Sequence, residues 1–562
     1  MRTLLKNGYV INVFTDEIEK TNVLIEDDKI IGVGEYTEDD ADVTEDVSGK
    51  YVCPGFIDGH IHIESTMLLP SGLASVCVPH GTTSVIADPH EIANVCGVDG
   101  IKFMLEASEG IPLGVYIVLP SCVPATPFDE SGAVLKAEDL ERLYKHERVI
   151  GLGEMMNYPG VIHGDVDVHA KLSSAFSKNK VINGHAPLLT GKDLDKYISY
   201  GINDDHECSS IAEAKERIKK GQWIMLREGT AAKNLADLLD LFEEPYNRRT
   251  ILVTDDRHPA DLIEEGHIDN IIRTAAANGK NVLTAIRMAT IQAAQCMRLQ
   301  YLGAIAPGYK ADVLVLDELD TVKVKDVFKS GKKVVENGKI KEFSPPKIAT
   351  RLLNKVKSSF KLKVLTKDDF FIKPESQLCR VIEVIPNQIL TNEVIRKIDF
   401  EKKNGIDTDV DTLKLAVIER HNNTGHIGLG YVTGIGLKDG AIASSVAHDS
   451  HNLIVVGAND EDMVIAANRI RELGGGYVAV KNEQIIAEMP LPFGGLMSDL
   501  DAFKVSNINK ELRDSLYNLG VSDDIDPLMT MAFVSLPVIP IVKMSTYGLI
   551  DVGKWQKVSL FV

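Results

Sequence analysis

The sequence predicts an α/β protein: a (β/α)8 TIM barrel, a small β-sheet domain formed by the segments flanking it, and a C-terminal α+β domain. Three observations carry this. Between residues 53 and 302, eight apolar strand-like runs alternate with helix-like stretches. Each run ends in polar or glycine-rich residues, at the end where such barrels build their active sites. Two further segments, one on each side, alternate β-formers with turn residues and read as parts of one sheet.

The small sheet domain spans residues 1–52 and 303–345, with "LLKNGYVINV", "NVLIEDDKIIGVGE" and "DVSGKYVCP" before the barrel and "GYKADVLVLDELDTVKVKDVFKSGKKVVENGKI" after it. The barrel strands are "GFIDGHIHI", "TTSVIAD", "GVYIVLP", "VIGLGEM", "KVINGHA", "GINDDHE", "WIMLREG" and "TILVTDD". Their spacing of roughly 20 to 35 residues leaves room for a crossover helix each time, and about 250 residues is the usual size of such a barrel. "FSPPKI" reads as a linker, and residues 350–562 form the C-terminal α+β domain. Its glycine-rich joints "GLGYVTGIG", "LGGGY" and "PFGGLM" match neither GxGxxG opening a helix nor a P-loop, and read as turns.

Composition narrows the function. The 562 residues are 44% hydrophobic and 25% charged, with a formal net charge of -20. An acidic chain with no long basic run is suited neither to nucleic acid nor to anionic lipid. Its expected partners are small molecules, metal ions or its own copies. "MRTLLKNGYVINV" has no signal-peptide apolar core, and no apolar run reaches the roughly 18 residues of a membrane span. "MAFVSLPVIPIVKM" is short and broken by prolines. The seven cysteines are scattered, with no CxxC pair. That fits reduced thiols in a cytoplasm, gives no thiolate zinc site, and lacks the PCxxC half of the cytidine-deaminase type of zinc signature.

The chemistry lies in "GFIDGHIHIES". On a strand, His60, His62 and Glu64 share one face. They look like the start of a metal site, with a polar strand end carrying two solvated histidines as the alternative. The other strand ends add Asp88 and His90, Glu154, His185, His206 and Asp255. Each singly reads as a structural residue. Together, four histidines and two carboxylates from five strand ends (His60, His62, Glu154, His185, His206 and Asp255) converge on one volume. Burying them without a cation would cost several kcal/mol per uncompensated charge. Six such donors, one carboxylate bridging, suit two metals about 3.5–4 Å apart.

This arrangement resembles the amidohydrolase superfamily. More closely, "PGFIDGHIHIESTML", "GTTSVIADPHEIANVCG", "GLGEMMNYPGVI", "NGHAP", "DDHE", "VTDD", "AHDSHN" and "PFGGLMSD" resemble the bacterial adenine deaminase family along essentially the whole chain. One departure from the broader superfamily matters: Glu154 stands where many two-metal members carry a carboxylated lysine, which argues against the dihydropyrimidinase and dihydroorotase branches. The resemblance implies hydrolysis of adenine to hypoxanthine and ammonia by a hydroxide that two metals generate near neutral pH. It implies His60 and His62 on one metal, His185 and His206 on the other, Glu154 bridging, and Asp255 on the metal carrying the water. Asp255 then acts as base and acid, and His206 is a second proton carrier. Iron or manganese is favoured, and zinc suits the same imidazole and carboxylate donors.

Around this core, Glu64, Asp88, His90 and Glu91 are expected to hydrogen-bond the ligands, hold an additional metal or contact the base. Glu64 and Glu91 are also candidates to protonate the purine N1. Arg227 is read as an ion-pair partner of a carboxylate, with substrate contact as the alternative. His448, Asp449 and His451 read either as a polar turn or as part of a C-terminal cover over the barrel mouth. Met155 and Met156 read as packing. A homo-oligomer is expected by resemblance. Two rival functions remain: a related hydrolase acting on a cyclic amide or another amino-purine, and a non-catalytic scaffold, which would have lost ligands that are all present here.

Overall fold

A computed structural model describes every residue except Ala231 and Asn387. The eight expected runs are the strands of a parallel barrel: β1 (Phe56–Ile61), β2 (Thr82–Ala87), β3 (Gly114–Leu119), β4 (Val149–Met155), β5 (Val181–Gly184), β6 (Asp204–Asp205), β7 (Trp223–Arg227) and β8 (Thr250–Val253). Strands β1 to β5 pair in order, as do β6 to β8. Asn203 N–H donates to the Ile182 carbonyl at 2.8 Å and joins the two sets. At the other seam, Asp255 N–H donates to the His60 carbonyl at 3.0 Å and closes the ring.

Strands β1 and β2 are buried along their whole length, as parallel strands covered on both faces should be. Ile57, Ile86, Val118, Val181, Met225 and Ile251 fill the barrel, packed against residues of the 293–302 segment. β6 is short for a local reason. Its two residues are aspartates whose carboxylates accept from neighbouring backbone: Asp204 from Gly184 N–H and Asp205 from Ala186 N–H, each at 3.0 Å.

The two flanking segments meet in one nine-stranded sheet, in which Tyr51–Pro54 pairs antiparallel with Val313–Glu318. The barrel is thus inserted between the two halves of a small domain. The C-terminal segment forms an eight-stranded sheet packed on a helix, Asp460–Leu473, and a smaller three-stranded sheet near the end of the chain. It lies on the barrel: Ser498 N–H donates to the Met67 carbonyl at 2.9 Å, and Asn452 donates to the Glu130 carbonyl at 2.7 Å. Among the described residues no helix is long and apolar enough to cross a membrane. All seven cysteines are buried and unpaired.

Candidate metal centre and its pocket

Every strand-end residue singled out in the sequence is buried at the C-terminal mouth of the barrel, apart from the partly exposed His185 and Arg227. Glu154, at the end of β4, stands at the centre. Its Oε1 lies 3.3 Å from His62 Nε2 and 3.4 Å from His90 Nδ1. Its Oε2 lies 2.7 Å from His185 Nδ1 and 3.2 Å from His206 Nε2. One carboxylate therefore faces two groups of imidazoles, one per oxygen. Asp255 Oδ1 approaches the first group, 3.2 Å from His62 Nε2 and 3.6 Å from His60 Nε2. Asp255 follows β8 with a φ of 61°, a left-handed conformation that aspartate tolerates better than most residues.

The donors suit a cation. His62 Nδ1 lies 3.0 Å from the Asp88 carbonyl, which can only accept, so Nδ1 carries the proton. With Nδ1 so engaged, Nε2 is the ring nitrogen left to face the oxygens of Glu154 and Asp255. His60 Nε2 is buried without a hydrogen-bond partner. Carboxylates gathered in a buried site need positive charge among them, from protonated imidazoles or from a cation held in their place. Burial alone would raise the Glu154 and Asp255 carboxyls. The histidines hold both well below the usual range, and for Asp255 so does Arg227.

The neighbouring residues divide into roles. Asp88 accepts from Glu154 N–H at 3.0 Å, and Gly153 makes this approach feasible: a Cβ there would stand 2.0 Å from Asp88 Oδ2. Glu64 accepts from Ile92 N–H at 3.1 Å and does not line the pocket; burial and the charge of Glu91 push it up to about 7. Arg227 pairs with carboxylates, as expected: its guanidinium reaches Asp255 Oδ2 at 2.7 Å and Glu207 at 2.5 and 3.0 Å.

Glu91 joins the barrel to the C-terminal domain. His448 Nδ1 lies 2.7 Å from Glu91 Oε1, and His451 Nε2 contacts Glu91 Oε2. His451 Nδ1 accepts from Ala447 N–H, so the proton of its neutral ring is on Nε2, the nitrogen that faces Glu91. Burial pushes His451 down to about 4. Burial also opposes charge on His448, but Glu91 and its acidic neighbours win and raise it to about 9. Glu91 thus sits between an imidazolium and a neutral imidazole. His90 Nε2 is 3.4 Å from the same carboxylate.

His62, His90, Glu91, Glu154, His185, His206, Arg227, Asp255 and His448 line a cavity with Met156, Asp256, Ile389, Phe533, Leu536, Val538 and Ile539. Met156, expected only to pack, therefore faces the pocket. Four of the lining side chains come from residues 533–539 of the C-terminal domain. Glu207 and Asp256 were not anticipated in the sequence. Both stand beside a singled-out residue, where strand alternation would turn them away. β6 ends at Asp205 and β8 at Val253, so alternation no longer applies where they lie.

A closed β/α barrel with histidines and carboxylates gathered at its mouth defines the class of amidohydrolases, and residues 51–334 match the amidohydrolase family. Residues 388–556 match the adenine deaminase C-terminal domain. An adenine deaminase 2 from Carboxydothermus hydrogenoformans is 46% identical over 558 residues, covering 99% of this chain and 96% of that protein. An adenine deaminase from Clostridium acetobutylicum is 47% identical, covering 98% and 96%. One from Thermosipho africanus is 45% identical, covering 100% and 96%. The chain belongs to the adenine deaminase family.

Proposed function

We infer that this protein is an adenine deaminase, hydrolysing adenine to hypoxanthine and ammonia. The observation that carries the mechanism is the Glu154 carboxylate with imidazoles on both oxygens. His60, His62, Asp255 and Glu154 would hold one divalent ion, and His185, His206 and Glu154 the other. Iron or manganese is favoured, and zinc suits the same donors. Such ions supply the charge that lowers the pKa of water, so that hydroxide is at hand near neutral pH.

The chain's own groups do the rest. Asp255, oriented by Arg227, takes a proton from the attacking water and passes it to the departing amine. His206 is a second proton carrier. The purine N1 must gain a proton as C6 becomes tetrahedral. Glu91 lines the pocket and Glu64 does not; because Glu91 is ionised, this favours Glu91 as the relay for that step, with the proton drawn from the His448 imidazolium 2.7 Å away. Asp88 and His90 would support the ligands rather than bind the base. We extend the proposal to a cytoplasmic homo-oligomer whose subunits divide into domains at 1–52 with 303–345, 53–302 and 350–562.

The test is purification with iron, manganese or zinc supplied, a metal count, and ammonia release from adenine, other amino-bases and dihydroorotate. About two ions per chain, turnover of adenine, and a loss of about 100-fold or more in Asp255→Asn are expected. Two ions without adenine turnover would instead point to a related hydrolase of a cyclic amide or another amino-purine.

A further inference from the structure

We propose that Tyr197 is a positioning residue for the metal centre, its hydroxyl fixing His185 against the stretch of β4 that carries Glu154. This rests on the two-ion reading above. From Ile182 to Gly184 β5 advances two residues, while β4 advances three, from Leu152 to Met155. The extra residue is a bulge over Gly153 and Glu154. Such bulges interrupt the ladder and re-aim a side chain, often beside an active site. Regular pairing between β4 and β5 therefore lapses at the carboxylate that faces both groups of imidazoles.

The Tyr197 hydroxyl bridges the strands at that point. It donates to the Met155 carbonyl at 2.9 Å and accepts from His185 N–H at 3.0 Å. Its ring belongs to the helix Gly191–Ser199 and is fully buried. The amides on either side are also held by side chains, Gly184 N–H by Asp204 and Ala186 N–H by Asp205. The Ala186 carbonyl accepts from Arg217 at 2.5 Å. Of these side chains, Tyr197 is the one whose bonds also reach β4. On the far side of β4, the Glu154 carbonyl accepts from Ser121 Oγ, and the buried Lys171 ammonium donates to the Ser121 carbonyl at 2.9 Å.

His185 depends on this support more than the other ligands do. Its side chain is 16% exposed, against 6% or less for His60, His62, Glu154, His206 and Asp255, so packing confines it less. His62 is also aimed through its second ring nitrogen, by the Asp88 carbonyl, the usual way of orienting an imidazole ligand. The polar neighbours of His185, Glu154 and His206 among them, lie on Nδ1. Its aim is set from the backbone, through the amide that Tyr197 holds.

The experiment reads metal as well as turnover. Tyr197→Phe keeps the ring and removes the hydroxyl. Manganese titrated into the metal-free variant should bind at its weaker site about 10- to 100-fold less tightly than in the natural protein. At limiting manganese kcat for adenine should fall while KM stays unchanged, and excess manganese should restore turnover. Two ions bound at the natural affinity would overturn the proposal, because a residue serving only the fold would lower the melting temperature and leave ion affinity as it was. A second measurement needs no variant. Hydrogen exchange at the His185 amide of the natural protein, resolved to the residue, should be as slow without manganese as with it. Fast exchange in the metal-free protein would mean that the ions, not Tyr197, set His185, and would equally overturn the proposal. Neither binding readout involves adenine, so both survive a failure of the deaminase reading. Fewer than two ions in the natural protein would sink the two-ion reading and this inference together.

Discussion

Arg227 places one guanidinium nitrogen 2.7 Å from Asp255 Oδ2 and 2.5 Å from Glu207 Oε1. It thereby ties the end of β7 to a carboxylate beyond β8 and another beyond β6. A planar fork can hold two carboxylates at fixed angles, which an ammonium on a flexible stem cannot do. Arg227→Gln is therefore expected to lower kcat/KM for adenine by about 10- to 100-fold, the usual effect of removing a partner that orients a ligand. Arg227→Lys should restore only part of it. Activity equal to the natural enzyme in the lysine variant would mean that charge alone matters there.

Glu154→Gln keeps the shape of the side chain but removes its charge and one acceptor oxygen. The expected result is fewer than two ions per chain by elemental analysis and a loss of adenine turnover of at least about 100-fold. Full metal occupancy in this variant would argue against a bridging carboxylate.

Glu91 and His448 face each other across the boundary between barrel and C-terminal domain at 2.7 Å. Residues that act as one unit show non-additive losses. Glu91→Gln and His448→Ala should each reduce kcat, and the double variant should be little worse than the poorer single one. Multiplying effects in the cycle would separate the two roles.

Beneath the metal site, His267 Nε2 lies 3.1 Å from Asp58 Oδ2, and both side chains are fully buried. Asp58 also accepts from Thr254 Oγ1 at 2.5 Å and so fastens β1 to the end of β8. His267→Leu leaves that carboxylate buried with less compensation. A loss of about 3 kcal/mol is expected, read as a lower denaturation midpoint in urea. A midpoint unchanged from the natural protein would show that Thr254 and the backbone suffice.

Burial pushes the Lys543 amine down to about 7. In the unfolded chain it titrates near 10.4. Between those values the unfolded state binds more protons than the folded one, so this group makes stability rise as pH rises from about 7 to about 10. Below the folded value its burial is fully unfavourable. The natural protein's melting temperature, measured between pH 7 and 9.5, should therefore climb by at least about 2 °C more than that of Lys543→Met. Parallel profiles would place the lysine's charge in contact with water.

Much of the site was legible in the chain because a barrel strand is a local object. Two-residue alternation put His60 and His62 on one face, and the repeat of strand and crossover put Glu154, His185, His206 and Asp255 at one end. These follow from short-range periodicity. Glu207 was not legible, because β6 stops at Asp205 and the turn after it aims the next side chain freely. Nor was the partnership of Glu91 with His448 and His451, or the apolar lining supplied between Phe533 and Ile539. Those residues lie far from the barrel strands in sequence and meet them only through the docking of one packed domain on another. That contact is decided by the shapes of two finished surfaces, and no local pattern records it.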